Sequence, residues 1–236
     1  MIICSGLTKL YGKDPNECAL HSLDFHLDKG EFVFLRGHVG AGKSTLLRLV
    51  CGLLEPSSGE LIVNGVSLPA NRRRLAALRR RMGIVEQEPR LLEDRSVAEN
   101  IALALEVQGL KGPALKRRVS AALRSVGLES LSEAPPRRLS AGQRQKVAVA
   151  RAVAGEPLLV VADEPCRHLD SEGAAEVLAL LRWLNLQGST ILAVMGDCWP
   201  GAGGDAEVAA RCLWLKRGRL LDAPAEAGEE GAACAC

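Results

Sequence analysis

Aromatic residues are scarce, at 3% of 236 residues, and Tyr11 is the single tyrosine. A core built without them must come from Leu, Val, Ile and Ala, the side chains of buried strands and their covering helices. Long apolar runs are missing too. Stretches such as Leu158 to Ala162 are strand-sized, well short of the ~18–20 residues that cross a bilayer. A role at a membrane would need another chain to do the spanning. The opening, MIICSGLTKLYG, lacks the charged start and apolar stretch of a secretion signal. An excess of one charge is also lacking, since 30 Lys and Arg face 28 Asp and Glu. Bulk attraction to a polyanion is therefore not expected. The eight cysteines form no CxxC pair and no regular framework. That argues against a zinc site or a disulfide scaffold and for reduced thiols in a cytosolic compartment. The ending Cys234-Ala-Cys236 resembles a dual-prenylation signal, but nothing else in the chain accompanies it.

What is present is ordinary globular composition, 47% hydrophobic and 25% charged, which excludes a disordered or fibrous chain. Met1 to Ser5 and Cys18 to Leu27 read as an opening antiparallel β layer. EFVFLR, Glu31 to Arg36, is a short apolar strand followed by a glycine-rich turn and helical residues Lys43 to Val50, with Gly52 as a helix stop. Leu61 to Val63 and Asn64-Gly65 predict a hairpin. RRRLAALRRR, residues 72–81, holds six arginines. On a helix Leu75, Leu78 and Met82 share one face and the arginines fan around the other, so a solvated surface helix accounts for them without nucleic acid. Val97 to Val126 is helical and broken at Gly109 and Gly112-Pro113. Ala141 to Ala154 and Ser171 to Leu186 are further helices. Leu158 to Ala162 and Thr190 to Val194 are buried-type strands, and Cys212 to Leu221 is a hairpin about Arg217-Gly218. Strands alternating with helices predict an α/β fold with a parallel sheet. The helical stretch would be inserted as a lobe, and 223–236, rich in Ala, Glu and Gly, would be a mobile tail.

Gly37 to Ser44, GHVGAGKS, fits G-x-x-x-x-G-K-[ST], after a strand and opening a helix as that motif requires. Its glycines let backbone N–H groups curl toward phosphate oxygens at a helix N-terminus. Lys43 can neutralise the β- and γ-phosphates, and Ser44 offers a hydroxyl to Mg²⁺. Further on, Leu158 to Glu164, LLVVADE, is an apolar strand ending in two acids. Asp163 would hold Mg²⁺ through water, and Glu164 would orient and deprotonate an attacking water. Between these elements lies Leu139-Ser140-Ala141-Gly142-Gln143. Ser140 and Gln143 have the spacing of a capping box, and Gly142 allows close approach at the helix start.

At that place the pentapeptide resembles the LSGGQ signature of the ATP-binding-cassette (ABC) ATPases, and the likeness runs over roughly residues 1–222. It implies a P-loop NTPase (RecA-like) core with an N-terminal antiparallel β layer, residues 1–88 and 152–222, and an inserted α-helical subdomain, 89–151. It implies that Tyr11, Gly37, His38, Val39, Gly40, Ala41, Gly42, Lys43, Ser44 and Thr45 bind ATP. Ser140, Gly142 and Gln143 would close on it from a second copy in an ATP-dependent homodimer. Lys43, Gln87 and Glu164 would carry catalysis, and Ser44, Gln87 and Asp163 the metal, with Gln87 in the place of the Q-loop glutamine. Asp170 resembles the D-loop aspartate that contacts the facing subunit. KGEFVFLRG and RLLEDRSVAENIALALEVQG look most like the family's cell-division branch, the FtsE-like ATPases. Lipoprotein-release and macrolide-export ATPases share much of the pattern. The implied partner is an integral membrane protein, an FtsX-like permease, docking around Arg90 to Asn100. The implied location is peripheral, on the cytoplasmic face of the inner membrane, with no direct nucleic-acid role.

The pattern departs from the family in three places. Gly196 stands where the family has a histidine that bonds the γ-phosphate, which is expected to slow hydrolysis at a cost of ~2–4 kcal/mol. A nucleotide-binding switch with little turnover is the alternative outcome. Ala141 replaces the signature's first glycine. Arg167 and His168 occupy D-loop positions where small or amide residues are common.

Overall fold

Strand β1 (Ile2–Leu10) is the hub of a four-stranded antiparallel sheet. The sheet's order is β2-β1-β4-β5, with β2 (Cys18–Leu27), β4 (Ser58–Val63) and β5 (Val66–Leu68). One face is buried through Ile2, Cys4, Leu7, Leu20, Leu23 and Leu27, the half-buried alternation expected of an antiparallel layer. β1 runs past Ser5 to Leu10 because bulges near Gly6 (φ 57) bend it while pairing continues. Those bulges break the two-residue alternation by which a strand is read in sequence. The computed structural model describes residues 1–12, 18–195 and 210–221.

The second sheet has the order β10-β9-β3-β8-β7-β6. Its members are β3 (Phe32–Arg36), β6 (Met82–Val85), β7 (Leu159–Asp163), β8 (Thr190–Val194), β9 (Arg211–Lys216) and β10 (Arg219–Leu221). All neighbours pair in parallel except β10, which returns antiparallel on β9. β8 is buried at every residue, as a strand covered on both faces must be. Successive side chains of β7 enter different cores. Leu159 and Val161 join α1 (Lys43–Val50) and the antiparallel layer. Val160 and Ala162 pack with Val149 of α5 (Ala141–Val153) and with Val177 and Leu181 of α6 (Ser171–Leu186).

Met82 to Val85 forms a strand that the sequence does not announce, four residues between an arginine cluster and an acidic turn. It places Gln87 just beyond the sheet edge, next to β7. The arginine cluster is α2 (Arg72–Arg79), capped by Asn71, with Arg72, Arg73 and Arg74 exposed and Leu78 buried.

Helices α3 (Val97–Val107), α4 (Gly112–Ser125) and the buried side of α5 share a third core of Val97, Ile101, Leu105, Val119, Leu123 and Val147. Truncating the fully buried Ile101 to Ala would cost ~2–5 kcal/mol. No helix among the described residues is long and apolar enough to cross a membrane.

Candidate functional site

β3 is buried from Phe32 to Leu35, and the turn beyond it is made with glycine. Gly37 sits at φ 146, where an added Cβ would drive into the Leu215 carbonyl. Gly42, at φ 105, is the N-cap of α1, and a Cβ there would strike the Ala19 carbonyl. Both positions therefore demand glycine. Neighbouring backbone fixes the loop between them. The Ala41 N–H donates to the His38 carbonyl (3.1 Å), and the Ala41 carbonyl accepts from the Gly218 N–H (2.9 Å) in the β9–β10 turn. That turn is in turn bonded to β2 through the His21 N–H (2.8 Å). His38, Val39 and Gly40 form the loop's exposed crest. At its far end α1 closes with a Schellman arrangement, Leu53 N–H to Arg48 carbonyl (2.8 Å) and Gly52 N–H to Leu49 carbonyl (2.8 Å).

Lys43 begins α1 and is only 8% exposed, an uncommon place for a cation. Its ammonium lies inside the curl of its own loop, donating to the Gly37 carbonyl and, at 2.9 Å, to that of His38. Among the described residues no carboxylate pairs with it. A buried ammonium facing neutral carbonyls, beside a helix N-terminus, suits a polyphosphate.

β7 carries Asp163 at its C-terminal end, half-buried. Glu164 follows with φ 47 while its N–H still donates to the Val194 carbonyl (3.0 Å), so the chain turns without leaving the ladder. A left-handed glutamate costs about 1 kcal/mol or more. Its Oε2 accepts from Gln87 Nε2 at 3.3 Å and from Arg167 Nη1 at 3.2 Å. Tyr11, Val39 to Thr45, Gln87, Glu164 and Arg167 border a cavity of about 630 Å³. Tyr11 stands on its rim, 57% exposed, with its hydroxyl 3.1 Å from Thr45 Oγ1 and the Lys9 ammonium 5.8 Å from its ring centre.

A groove of about 500 Å³ adjoins it, lined by Asp163, Glu86, Arg90, Arg48 and Cys51, and Gln87 borders both. Cys51 is a neutral thiol. Burial pushes it up to about 12, with Arg79 opposing and Glu86 and Asp163 adding to the shift.

The structure brings Lys43, Ser44, Gln87 and Glu164 together. Ser140, Gly142 and Gln143 do not border that cavity. They open α5, where Ser140 Oγ accepts from the Gln143 N–H (3.2 Å) and Gln143 Oε1 from the Ser140 N–H (2.9 Å). Ser140 is exposed, while a Cβ on Gly142 would lie 3.1 Å from the His168 carbonyl. The start of α5 thus rests on the loop that follows Glu164. Asp170 caps α6, accepting from the Gly173 N–H at 2.8 Å. Gly196 and the 223–236 tail lie outside the described residues.

Two contributors escape the sequence reading. Arg167 is unusual at its D-loop position, but nothing in the sequence announces its contact with Glu164. Asn100 is fully buried on the apolar face of α3 and fixes the segment beyond Gln87. Its Oδ1 accepts from the Leu92 N–H (2.8 Å), and its Nδ2 donates to the carbonyls of Leu92 (3.1 Å) and Ser96 (2.9 Å). An amide in phase with Val97, Ile101 and Leu105 was the available signal.

A parallel sheet with β8 between β3 and β7, a glycine loop around a buried lysine, and an acidic pair ending β7 define a P-loop NTPase. The chain belongs to the ABC transporter family of ATPases, whose family model matches residues 20–167. The cell division ATP-binding protein FtsE of Escherichia coli (strain K12) is 42% identical over 180 residues, 76% of this chain and 81% of that protein. FtsE of Mycobacterium tuberculosis is 40% identical over 198 residues, 84% of this chain and 86% of that protein. The methionine import ATP-binding protein MetN of Leifsonia xyli is 42% identical over 219 residues, covering 92% of this chain but 63% of the relative. Among solved structures, the dimeric ATP-binding cassette MJ0796 in a post-hydrolysis state with ADP and Pi matches with TM-score 0.82 at 29% identity. That match covers 93% of this chain and 96% of the other.

Proposed function

We propose that this chain is the ATP-hydrolysing subunit of an FtsE-like assembly, dimerising on ATP to drive or gate a membrane partner in cell division. The observation that carries the reading is the joint placement of the buried Lys43, Ser44, Gln87 and Glu164 around one cavity. Lys43, in exchange for its loop carbonyls, would hold the β- and γ-phosphates, while the N–H groups of the first turn of α1, Lys43 to Thr45, cradle their oxygens. Tyr11 would stack on the adenine from the rim.

Ser44, Gln87 and Asp163 are hard oxygen donors suited to Mg²⁺. When bound, that ion neutralises phosphate charge and polarises the γ-phosphoryl group. Glu164 would orient the attacking water and take its proton. Ser140, Gly142 and Gln143, absent from the cavity of their own chain, would meet the γ-phosphate of a second copy, so two copies share two ATP molecules. Loss of the γ-phosphate would then release the closed dimer.

The permease would sit over the groove beside Arg90, with the segment to Asn100 at its edge, and would be FtsX-like. That arrangement holds the chain peripherally at the cytoplasmic face of the inner membrane. Gly196, in the place of the family's histidine, would leave turnover slow.

The test is Mg-ATP hydrolysis by the purified chain, with Lys43→Ala and Glu164→Gln as controls. No nucleotide binding by the wild type would end the proposal. Turnover at the rate of ordinary ABC ATPases would remove the slowed-hydrolysis part alone. Likeness to the methionine import protein MetN over 92% of this chain favours one further reading, an ATPase subunit of a solute transporter. Co-purification from detergent-solubilised membranes separates the two by the partner recovered.

A further inference from the structure

Arg167 reaches Glu164 by a route built into the backbone. Glu164 and His168 both adopt left-handed conformations, at φ 47 and φ 68. Between them the Arg167 N–H donates to the Glu164 carbonyl at 3.0 Å, closing a tight turn. This turn folds the arginine side chain back over the glutamate, where Nη1 lies 3.2 Å from Oε2. Gln87, arriving from the segment after β6, meets the same oxygen at 3.3 Å. Two donors from separate segments converge on one carboxylate oxygen, and among the described residues no donor meets Oε1.

Arg167 and Lys43 are the two cations that border the cavity, and Lys43 is engaged with the carbonyls of Gly37 and His38. The charge that answers Glu164 is therefore Arg167. A carboxylate on a two-carbon stem has several accessible rotamers. Fixing one oxygen selects among them and presents the other to the cavity, and small errors in such placement are expensive for a reacting group.

We infer that Arg167 is a positioning residue for Glu164, holding Oε2 together with Gln87 so that Oε1 serves the attacking water. The inference rests on the ATPase reading given above. A purely structural role would be an i, i+3 ion pair between side chains 45% and 25% exposed, which contributes little to stability.

The experiment compares the wild type with Arg167→Ala, Arg167→Lys, Glu164→Ala and the double variant Arg167→Ala/Glu164→Ala. Single-turnover and steady-state hydrolysis, Mg-ATP affinity and arginine side-chain NMR of the nucleotide-free protein are recorded for each. Arg167→Ala should lose roughly tenfold or more in kcat, with KM and Mg-ATP affinity within about twofold. Arg167→Lys should recover part of the loss. In the Glu164→Ala background, removing Arg167 should change residual turnover by less than about twofold, because the two act as a unit. Without nucleotide, rotation of the Arg167 guanidinium should be restrained in the wild type and freed in Glu164→Ala.

Wild-type kcat in Arg167→Ala, an equal loss in both backgrounds, or a guanidinium equally free with and without Glu164 would overturn the inference. A wild type that binds ATP without hydrolysing it would instead sink the ATPase reading. The NMR comparison then still decides whether Arg167 holds Glu164.

Discussion

Arg151 Nη1 donates to the carbonyl of Arg90 at 2.7 Å, joining helix α5 to the segment that leaves Gln87. Arg144 on the same helix reinforces the link, donating to the Glu93 carboxylate (2.6 Å) and the Pro136 carbonyl (3.1 Å). Burial lowers the proton affinity of Arg151, and Glu86 partly restores it. A charge-assisted bond of this kind contributes ~1.5–3 kcal/mol. Arg151→Ala should destabilise the protein by about that amount in urea titration, and hydrogen exchange should quicken around residues 90–93. Unchanged exchange there would show that α5 does not restrain the segment.

Asn100 makes a sharper case, because among the described residues it is the acceptor for the Leu92 N–H, which it meets at 2.8 Å. Asn100→Leu keeps the volume and the apolar face of α3 while stranding the Leu92 N–H. The expected cost is ~2–3 kcal/mol, with loss of protection at the Leu92 amide measured by exchange NMR. A variant as stable as the wild type would mean that water replaces the amide.

Ser140→Ala removes an N-cap, which costs ~1 kcal/mol of stability in thermal or chemical denaturation. In the proposed function it also removes a contact to the ATP of the second copy. ATP-driven dimerisation of Glu164→Gln, followed by size-exclusion chromatography, should therefore fall far more than stability when Ser140→Ala is added. Lower stability with unchanged dimerisation would reduce Ser140 to a helix cap.

The five thiols among the described residues divide into two groups. Burial raises Cys4, Cys51 and Cys166 to about 12, so they remain protonated and slow to react at pH 8. Cys212 is exposed, and Cys18 is half-buried. Timed alkylation with peptide mass mapping should, among these five, label Cys212 first and Cys4 and Cys51 last. Early labelling of Cys51 would show that the groove beside Asp163 opens to solvent.

Glu156 and Arg118 join the turn before β7 to α4. The hydrogen bond from Arg118 lowers the Glu156 carboxyl below its usual 4.5. A depressed acid stabilises the fold above its unfolded value, and that contribution is lost as pH falls through the folded one. Because the pair is largely exposed, its worth is under about 1 kcal/mol. Glu156→Gln should be slightly less stable than wild type at neutral pH, with the gap closing below pH 4.5. A gap that persists in acid would point to packing.

Much of this architecture is legible in the amino-acid sequence. The glycine loop, the apolar strand ending in Asp163-Glu164 and the Ser140–Gln143 cap are local, so spacing alone reveals them. Helix α6 and strand β8 match their expected limits, with Asp170 and Gln187 flanking the helix and Gly188-Ser189 marking the start of the strand. β6 is silent in the sequence because four residues carry too little periodicity, and its identity comes from pairing with β7. The extension of β1 was hidden by bulges. The Arg167–Glu164 contact depends on two left-handed non-glycine residues, a conformation that residue type does not announce. Asn100 required knowing which face of α3 is buried.

The clasp on the glycine loop sets an order on how the protein is made. Ala41 is held by Gly218, and Gly37 abuts Leu215. These partners are separated by roughly 180 residues, so the loop cannot take its final shape until nearly the whole chain has left the ribosome. Nascent chains should gain nucleotide affinity late and abruptly, after the last hairpin emerges. A frameshift that removes residues 211–221 would leave every residue of the glycine loop in place while taking away the partners that hold its shape.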